Sequence, residues 1–207
     1  MYRLAVLILA FSFAAFAQTG AQTKAKSSKA GGNADAMFAK AAAQGNMAEV
    51  ALGNLAKQNA QSDDVKKFGQ RMVDDHGKAE QDLEGVASKA NITLPTEVNA
   101  QQKAEQQRLE KLNGAAFDRA YMAMMVKDHT KDVAEFKREA NRPSANADLK
   151  DYATRTYPTL EDHLTNAKAV DSALPKSAAT KSNKSGKKSV PKPTAGQASG
   201  GAGLALI

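Results

Sequence analysis

From residue 34 to residue 174 apolar side chains recur every three or four positions through four long segments, and proline, which would interrupt a helix, is confined there to positions 95, 143 and 158. Such a chain is left with helices that each bury one stripe against their neighbours. The same region is rich in Ala, Lys, Glu, Gln, Asp and Leu, most of them good helix formers, so the expected fold class is all-α. The spacing predicts helices over about 34 to 61, 63 to 91, 114 to 142 and 145 to 174, with a shorter amphipathic piece at about 97 to 112. The punctuation agrees. Ser62-Asp63-Asp64 offers an N-cap, Asn91 precedes the break Ile92-Thr93-Leu94-Pro95, Asn113-Gly114 parts the short helix from the third long one, and Arg142-Pro143-Ser144 ends that helix.

The second segment reads Val65, Phe68, Met72, His76, Ala79, Leu83, Val86, Ala90, and the fourth Leu149, Tyr152, Thr156, Leu160, His163, Ala167, Val170, Leu174. The third follows Phe117, Tyr121, Met125, His129, Val133, Phe136, Ala140. The first admits two registers, Phe38, Ala42, Gly45, Glu49, Leu52, Ala56 or Met37, Ala41, Gln44, Ala48, Leu55. All three histidines of the chain therefore stand on apolar stripes, each directly after an acid: Asp75, Asp128 and Asp162. Each also lies near the midpoint of its helix, as does Glu49. Residues at half-height share one cross-section whichever way neighbouring helices run, so a central polar layer is expected.

Imidazoles and a carboxylate buried without partners would cost several kcal/mol, so metal, mutual hydrogen bonds or water must satisfy them. Three imidazoles plus one carboxylate suit Zn, Mn, Fe, Cu or Ni. Without a metal, each ring would be held by an Asp, Glu49, Tyr121, Tyr152 or Tyr157. Met72 and Met125 stand one turn before His76 and His129, either as soft donors suited to copper(I) or as apolar filler. Pro158 is expected to kink the fourth helix beside His163.

The formal charge of +7 does not belong to the helical region, because all 22 acidic residues fall between Asp35 and Asp171. The excess sits in the flanks. Residues 1–17 read as an export signal, with basic Arg3, an apolar run from Leu4 to Phe16 and the small-x-small end Ala15-Phe16-Ala17, which predicts cleavage after Ala17 and a periplasmic or secreted protein. That run is too short to span a bilayer. Residues 18–33 and 175–207 are rich in Gly, Ser, Lys, Ala and Pro and are expected to be disordered. The C-terminal lysines suit anionic envelope surfaces; without interleaved aromatics they do not predict specific nucleic-acid binding. The chain has no Cys, which excludes disulfides, thiolate metal sites and Cys nucleophiles. Glycine-rich phosphate loops, a Gly-x-Ser-x-Gly elbow and a His-Glu-x-x-His pair are also missing from the sequence, so a non-enzymatic role is favoured.

The segments DDH at 74 to 76, FDRAYMAMMVKDH at 117 to 129 and YPTLEDHL at 157 to 164, with GNMAEVALGNLA around Glu49, resemble domain-of-unknown-function family 4142 (DUF4142), small exported bacterial proteins grouped with the ferritin-like superfamily. The resemblance implies a ferritin-like four-helix bundle over 34–174, with the short helix in the connection between the second and third long ones. It implies no established activity. Di-iron sites of that superfamily use Glu-x-x-His on two helices, whereas Val73, Val126 and Leu160 stand three residues before the histidines here. A mononuclear His-rich site, or none, is therefore expected in place of a di-iron centre. The reading favoured by the sequence is a transition-metal site (Zn, Fe, Mn or Cu) formed by His76, His129, His163 and Glu49, with Asp75, Asp128, Asp162, Met72 and Met125 around it, serving sequestration or stress protection. The alternative is an envelope interaction or scaffold protein whose buried His/Asp network is purely structural.

Overall fold

The computed structural model describes the backbone of residues 19–175, with side chains from residue 31 onward. The expected signal peptide and the tail from residue 176 lie outside the described residues. Among those described there are five helices and no strand: α1 (Thr19–Asn59), α2 (Asp63–Lys89), α3 (Ala100–Glu110), α4 (Gly114–Ala140) and α5 (Ala147–Ala173). The four long segments and the short one fall where the spacing places them, with one difference. The backbone of α1 is helical from Thr19, where a linker over 18–33 is expected. Ala21, Ala25, Ala30 and the lysines between them are good helix formers, and continuation from the packed part of α1 spares this stretch the cost of nucleation.

The helix ends show how the chain turns. Ser62 has the extended backbone of an N-cap, yet its side chain makes no cap bond. The turn is held instead by Asp118 of α4, whose carboxylate accepts from the backbone N–H groups of Gln61 and Ser62 just before the helix, at 3.0 Å each. Asn91 ends α2 in the left-handed region (φ 54°), with Ile92 N–H bonded back to the Ala87 carbonyl at 2.9 Å. Asn99 and Gln102 close a reciprocal capping box at the start of α3. Gly114 enters α4 at φ 59°, which a side chain would strain. Asn146 accepts from the backbone of Asp148 and Leu149 to open α5. That helix is continuous through Pro158.

α1 packs on α2, α2 on α5, α5 on α4 and α4 on α1, closing a four-helix bundle, while α3 lies along α1 and α4. Because Asp118 near the start of α4 meets the α1–α2 turn, α4 runs antiparallel to α1 and in the same direction as α2. The connection through α3 must therefore travel back along the bundle, the single long crossover of ferritin-like folds. Gln102 to the Gln44 carbonyl (3.2 Å) and Asn59 to the Leu112 carbonyl (3.0 Å) pin that crossover to α1. At the far end Arg142 forks onto Glu139 and also reaches Asp35, tying α1 to the α4–α5 turn.

The apolar core is divided in two. One cluster gathers Leu52, Phe68, Met72, Phe117, Tyr121, Met125 and Ala167; the other gathers Ala43, Leu83, Phe136, Leu149, Tyr152 and Leu160. On α2 the gap between them holds His76, on α4 His129, on α5 His163 and on α1 Asn46 and Glu49. The first of the two registers of α1 is the buried one: Ala42, Glu49, Leu52 and Ala56 are inside, while Met37 is 66% exposed.

α1 and α2 touch at Gly53 and Gly69. A Cβ on Gly53 would fall 2.5 Å from the Gly69 carbonyl oxygen and 3.0 Å from Val73 Cγ2, so the absence of side chains sets the spacing of this helix pair. Gly53→Ala should destabilise the fold by about 1–3 kcal/mol through overpacking. The exposed Gly85, whose Cβ would meet nothing within 4 Å, should instead gain about 0.5–1 kcal/mol as Gly85→Ala. Urea melts of the two variants check this, and equal shifts would contradict the close crossing.

Candidate metal centre

The three histidines converge. His76, His129 and His163 are 4%, 0% and 1% exposed, with ring centroids 5.3 to 5.7 Å apart. One ligand nitrogen from each lies within 4.8 Å of the other two, and among the described residues this is the group of possible ligands that meets so closely. Their position at half-height on three different helices brings them together, as the sequence reading expects.

Each ring is held by one nitrogen. His76 Nδ1 faces the Asn46 side-chain oxygen at 3.0 Å, and the Asn46 amide is oriented because its nitrogen donates to Glu80 at 3.0 Å. His129 Nδ1 faces the Met125 carbonyl, one turn back on α4, at 3.0 Å. His163 Nε2 faces Asp75 Oδ2 at 2.7 Å. All three partners are acceptors, so each of these nitrogens carries the proton. The remaining nitrogens, His76 Nε2, His129 Nε2 and His163 Nδ1, are then bare lone pairs, fully buried and without a partner. Three neighbouring rings whose free nitrogens are all acceptors cannot satisfy one another. They call for an electrophile between them, and a held outer nitrogen with a bare inner one is how proteins present imidazole to a metal.

Electrostatics keep the rings neutral. Burial lowers the pKa of His76 well below its ordinary value, and the neighbouring His129 and His163 add to this. Burial, then His163, brings His129 down to about 4. His163 is also lowered by burial, with the hydrogen bond to Asp75 opposing. Asp75 is held low despite its burial, because His163 and Arg71 both bond to it. Arg71 reaches Asp75 at 3.1 Å and Asp162 at 2.7 Å, so a chain of charge runs from His163 to the surface.

Asp75 thus touches the trio directly, whereas Asp162 acts on it through Arg71. Asp128 lies instead beside Lys127 at 3.9 Å, on the α1–α3–α4 side. Met72 and Met125 are fully buried in one apolar cluster, and Met125 serves the site through its carbonyl oxygen. Glu49 is 4% exposed at the same height, with Oε2 buried and unpartnered, and the residue borders a neighbouring cavity also lined by Asp128 and Asp132. Two members of the site were not singled out from sequence. Asn46 precedes Glu49 by three positions, so a second polar residue on the same face was the signal. Arg71 precedes Asp75 by four, the spacing of a helix ion pair.

Comparison with known proteins follows the same lines. The family model described as "Domain of unknown function (DUF4142)" matches residues 20–170, and the chain belongs to that family. No curated protein matches it. Among solved structures it is similar to the crystal structure of a DUF305 fragment from Deinococcus radiodurans, with a TM-score of 0.59 and 14% identity over 68% of this chain and 96% of that one. That likeness concerns the fold alone.

The depressed His129 pKa has a signed consequence for the metal-free protein. Unfolded chains take up a proton near pH 6.5, while folded His129 does so only near 4, so its contribution to stability is present above about 6.5 and lost as pH falls toward 4. His129→Leu removes this dependence. Between pH 7 and pH 4 the variant should gain about 2–3 kcal/mol relative to wild type, measured by urea denaturation in the presence of a chelator. A constant difference would contradict a neutral buried imidazole.

Proposed function

We propose that this member of the family captures a transition-metal ion between His76, His129 and His163, in sequestration or stress protection outside the cytoplasm. The observation that carries this reading is the meeting of three buried imidazoles, with one nitrogen of each within 4.8 Å of the others, and each ring keeps one nitrogen against an acceptor and the other unpartnered. Bound zinc would draw them from within 4.8 Å to roughly 3.3 Å of one another, the separation set by Zn–N bonds of about 2.0–2.1 Å in a tetrahedron. That is a movement side chains can make.

Three neutral imidazoles favour zinc and copper(II) over iron(II) and manganese(II), which rank lower for nitrogen sites and are better served by carboxylates. A dication taken into this layer needs compensating negative charge. Asp75, bonded to His163, supplies it, and Arg71 with Asp162 fixes the Asp75 rotamer. No helix among the described residues is long and apolar enough to cross a membrane. The leader over residues 1–17 supports export, so the ion would be met in the envelope or beyond.

Protein purified natively from the exported fraction should carry near-stoichiometric zinc or copper by elemental analysis. Added zinc at 100 times its Kd should stabilise the stripped protein by about 2.7 kcal/mol. His163→Ala should abolish both effects, and Asp75→Asn should weaken affinity by roughly 10–100-fold while leaving all three ligands in place. Metal-free wild type with a melting temperature indifferent to Zn, Cu, Mn and Fe would leave the scaffold reading, in which the layer only fixes helix register.

A further inference from the structure

The three groups that hold the rings differ in their access to water. Asn46 and Met125 are buried, so the acceptors for His76 and His129 are sealed inside. Asp75, the acceptor for His163, keeps 35% of its side chain in solvent. The seams of the bundle differ in the same way. Gly53 against Gly69 closes α1–α2, extensive packing closes α4–α5, and α3 lies over α1–α4. The hollow beneath α3 is bordered by none of the three ring-holding residues. Between α2 and α5 the packing is sparser. Two surface hollows lie along that seam, one of about 470 Å³ beside Arg71 and Asn166 and one of about 260 Å³ beside Asp75 and Thr156. Two polar bonds cross it at the height of the rings: Asp75 to His163 and Arg71 to Asp162, each 2.7 Å.

We propose that the histidine layer is reached from solvent through the α2–α5 seam, with His163 as the moving ring, Asp75 as the residue that holds it shut and the Arg71–Asp162 pair as the clasp. What passes is the transition-metal ion of the reading above, on which this proposal rests. His163 stands between Asp75 and the other two rings, its Nε2 toward the carboxylate and its free Nδ1 buried. Release of Asp75 lets the ring swing outward and offer a nitrogen to an arriving ion, and its return delivers the ion to His76 and His129. The clasp suits this task. Arg71 bonds Asp75 as well as Asp162, so a single side chain governs both crossings, and an ion pair with this much exposure exchanges readily with water. Arg71 also sits between two carboxylates, where an approaching dication competes with it for the same negative charge. Pro158 adds compliance on the α5 side, because it offers no N–H to the preceding turn and leaves the helix one backbone bond short five residues before His163.

The test uses the full exported chain, stripped of metal by a chelator, and diethyl pyrocarbonate, which acylates imidazoles reachable from water; peptide masses give the rate at each histidine. In wild type His163 should react before His76 and His129. Asp162→Asn and Arg71→Met should each speed its modification by roughly two- to fivefold, the range expected for loss of a part-exposed ion pair. The two variants change local charge in opposite senses, so an effect of charge alone would move them apart, whereas loss of the clasp moves them together. Lys127→Met, which frees α3 from its ion pair over the α1–α4 seam, should change the rate by less than about twofold. Stopped-flow zinc uptake and release should both quicken in the two clasp variants while the equilibrium Kd moves by less than about twofold. Modification of His163 unchanged in either clasp variant, shifts of opposite sign, or an equal gain in Lys127→Met would overturn the proposal. Wild type that binds no zinc at equilibrium would instead remove the metal reading, and the modification rates would still decide which seam opens.

Discussion

Taking three imidazoles out of water at half the height of a helical bundle imposes conditions on every helix around them. Each ring must be turned so that one nitrogen meets an acceptor, and each acceptor must come from a place the helices can hold still. Asn46 on α1 meets this for His76, the α4 backbone itself for His129, and Asp75 on α2 for His163 on α5. The layer therefore links α1 to α2 and α2 to α5 by specific polar contacts, and a shift of α2 by a turn would break both together. The apolar clusters above and below supply most of the burial. Apolar packing alone tolerates sliding; the polar layer does not.

The same layer explains why the core is built in two parts. Large side chains, among them Phe68, Phe117, Tyr121 and Met125 in one cluster and Phe136, Leu149, Tyr152 and Leu160 in the other, fill the bundle on either side of the rings. Near the α1–α2 turn, by contrast, Gly53 and Gly69 let the two backbones almost touch. Arg142 with Glu139 and Asp35 closes the opposite end. Both ends are thus pinned, and the waist is left as the place where polar atoms stand with lone pairs unused.

Much of this was legible in the chain. The helices follow from stripe spacing and punctuation, and the meeting of His76, His129 and His163 follows from their half-height positions, which needs no knowledge of topology. What the spacing left open was the register of α1, because in an alanine-rich helix two stripes are equally apolar; burial of Ala42, Glu49 and Leu52 resolves it. The backbone of α1 continues to Thr19 through a glycine- and serine-containing stretch, which reads as linker until it is attached to a packed helix that it can continue. Which nitrogen of each ring is free was beyond sequence altogether. It depends on the rotamer of Asn46, on the turn of α4 that puts the Met125 carbonyl beside His129, and on a cross-helix contact from Asp75.

The placement of Glu49 bears on how such a protein could tell cations apart. Had its carboxylate joined the three imidazoles, the mixed set would have been open to manganese and iron as well as to zinc. Glu49 stands outside the group of ring nitrogens that meet within 4.8 Å and lines a neighbouring cavity with Asp128 and Asp132, so the close-set donors are all nitrogen. Nitrogen sites rank metals steeply, with copper(II) and zinc near the top, whereas hydrated oxygen sites discriminate by size and charge. Residues 128 and 129 are consecutive on α4 yet face different chambers, because a step of one along a helix turns the side chain by about 100°. An Asp-His pair can in this way carry its acid outward and its imidazole inward, and the acid before each histidine gains a physical reason. Asp75 reaches across to hold His163, Asp162 braces it through Arg71, and Asp128 lines the neighbouring cavity.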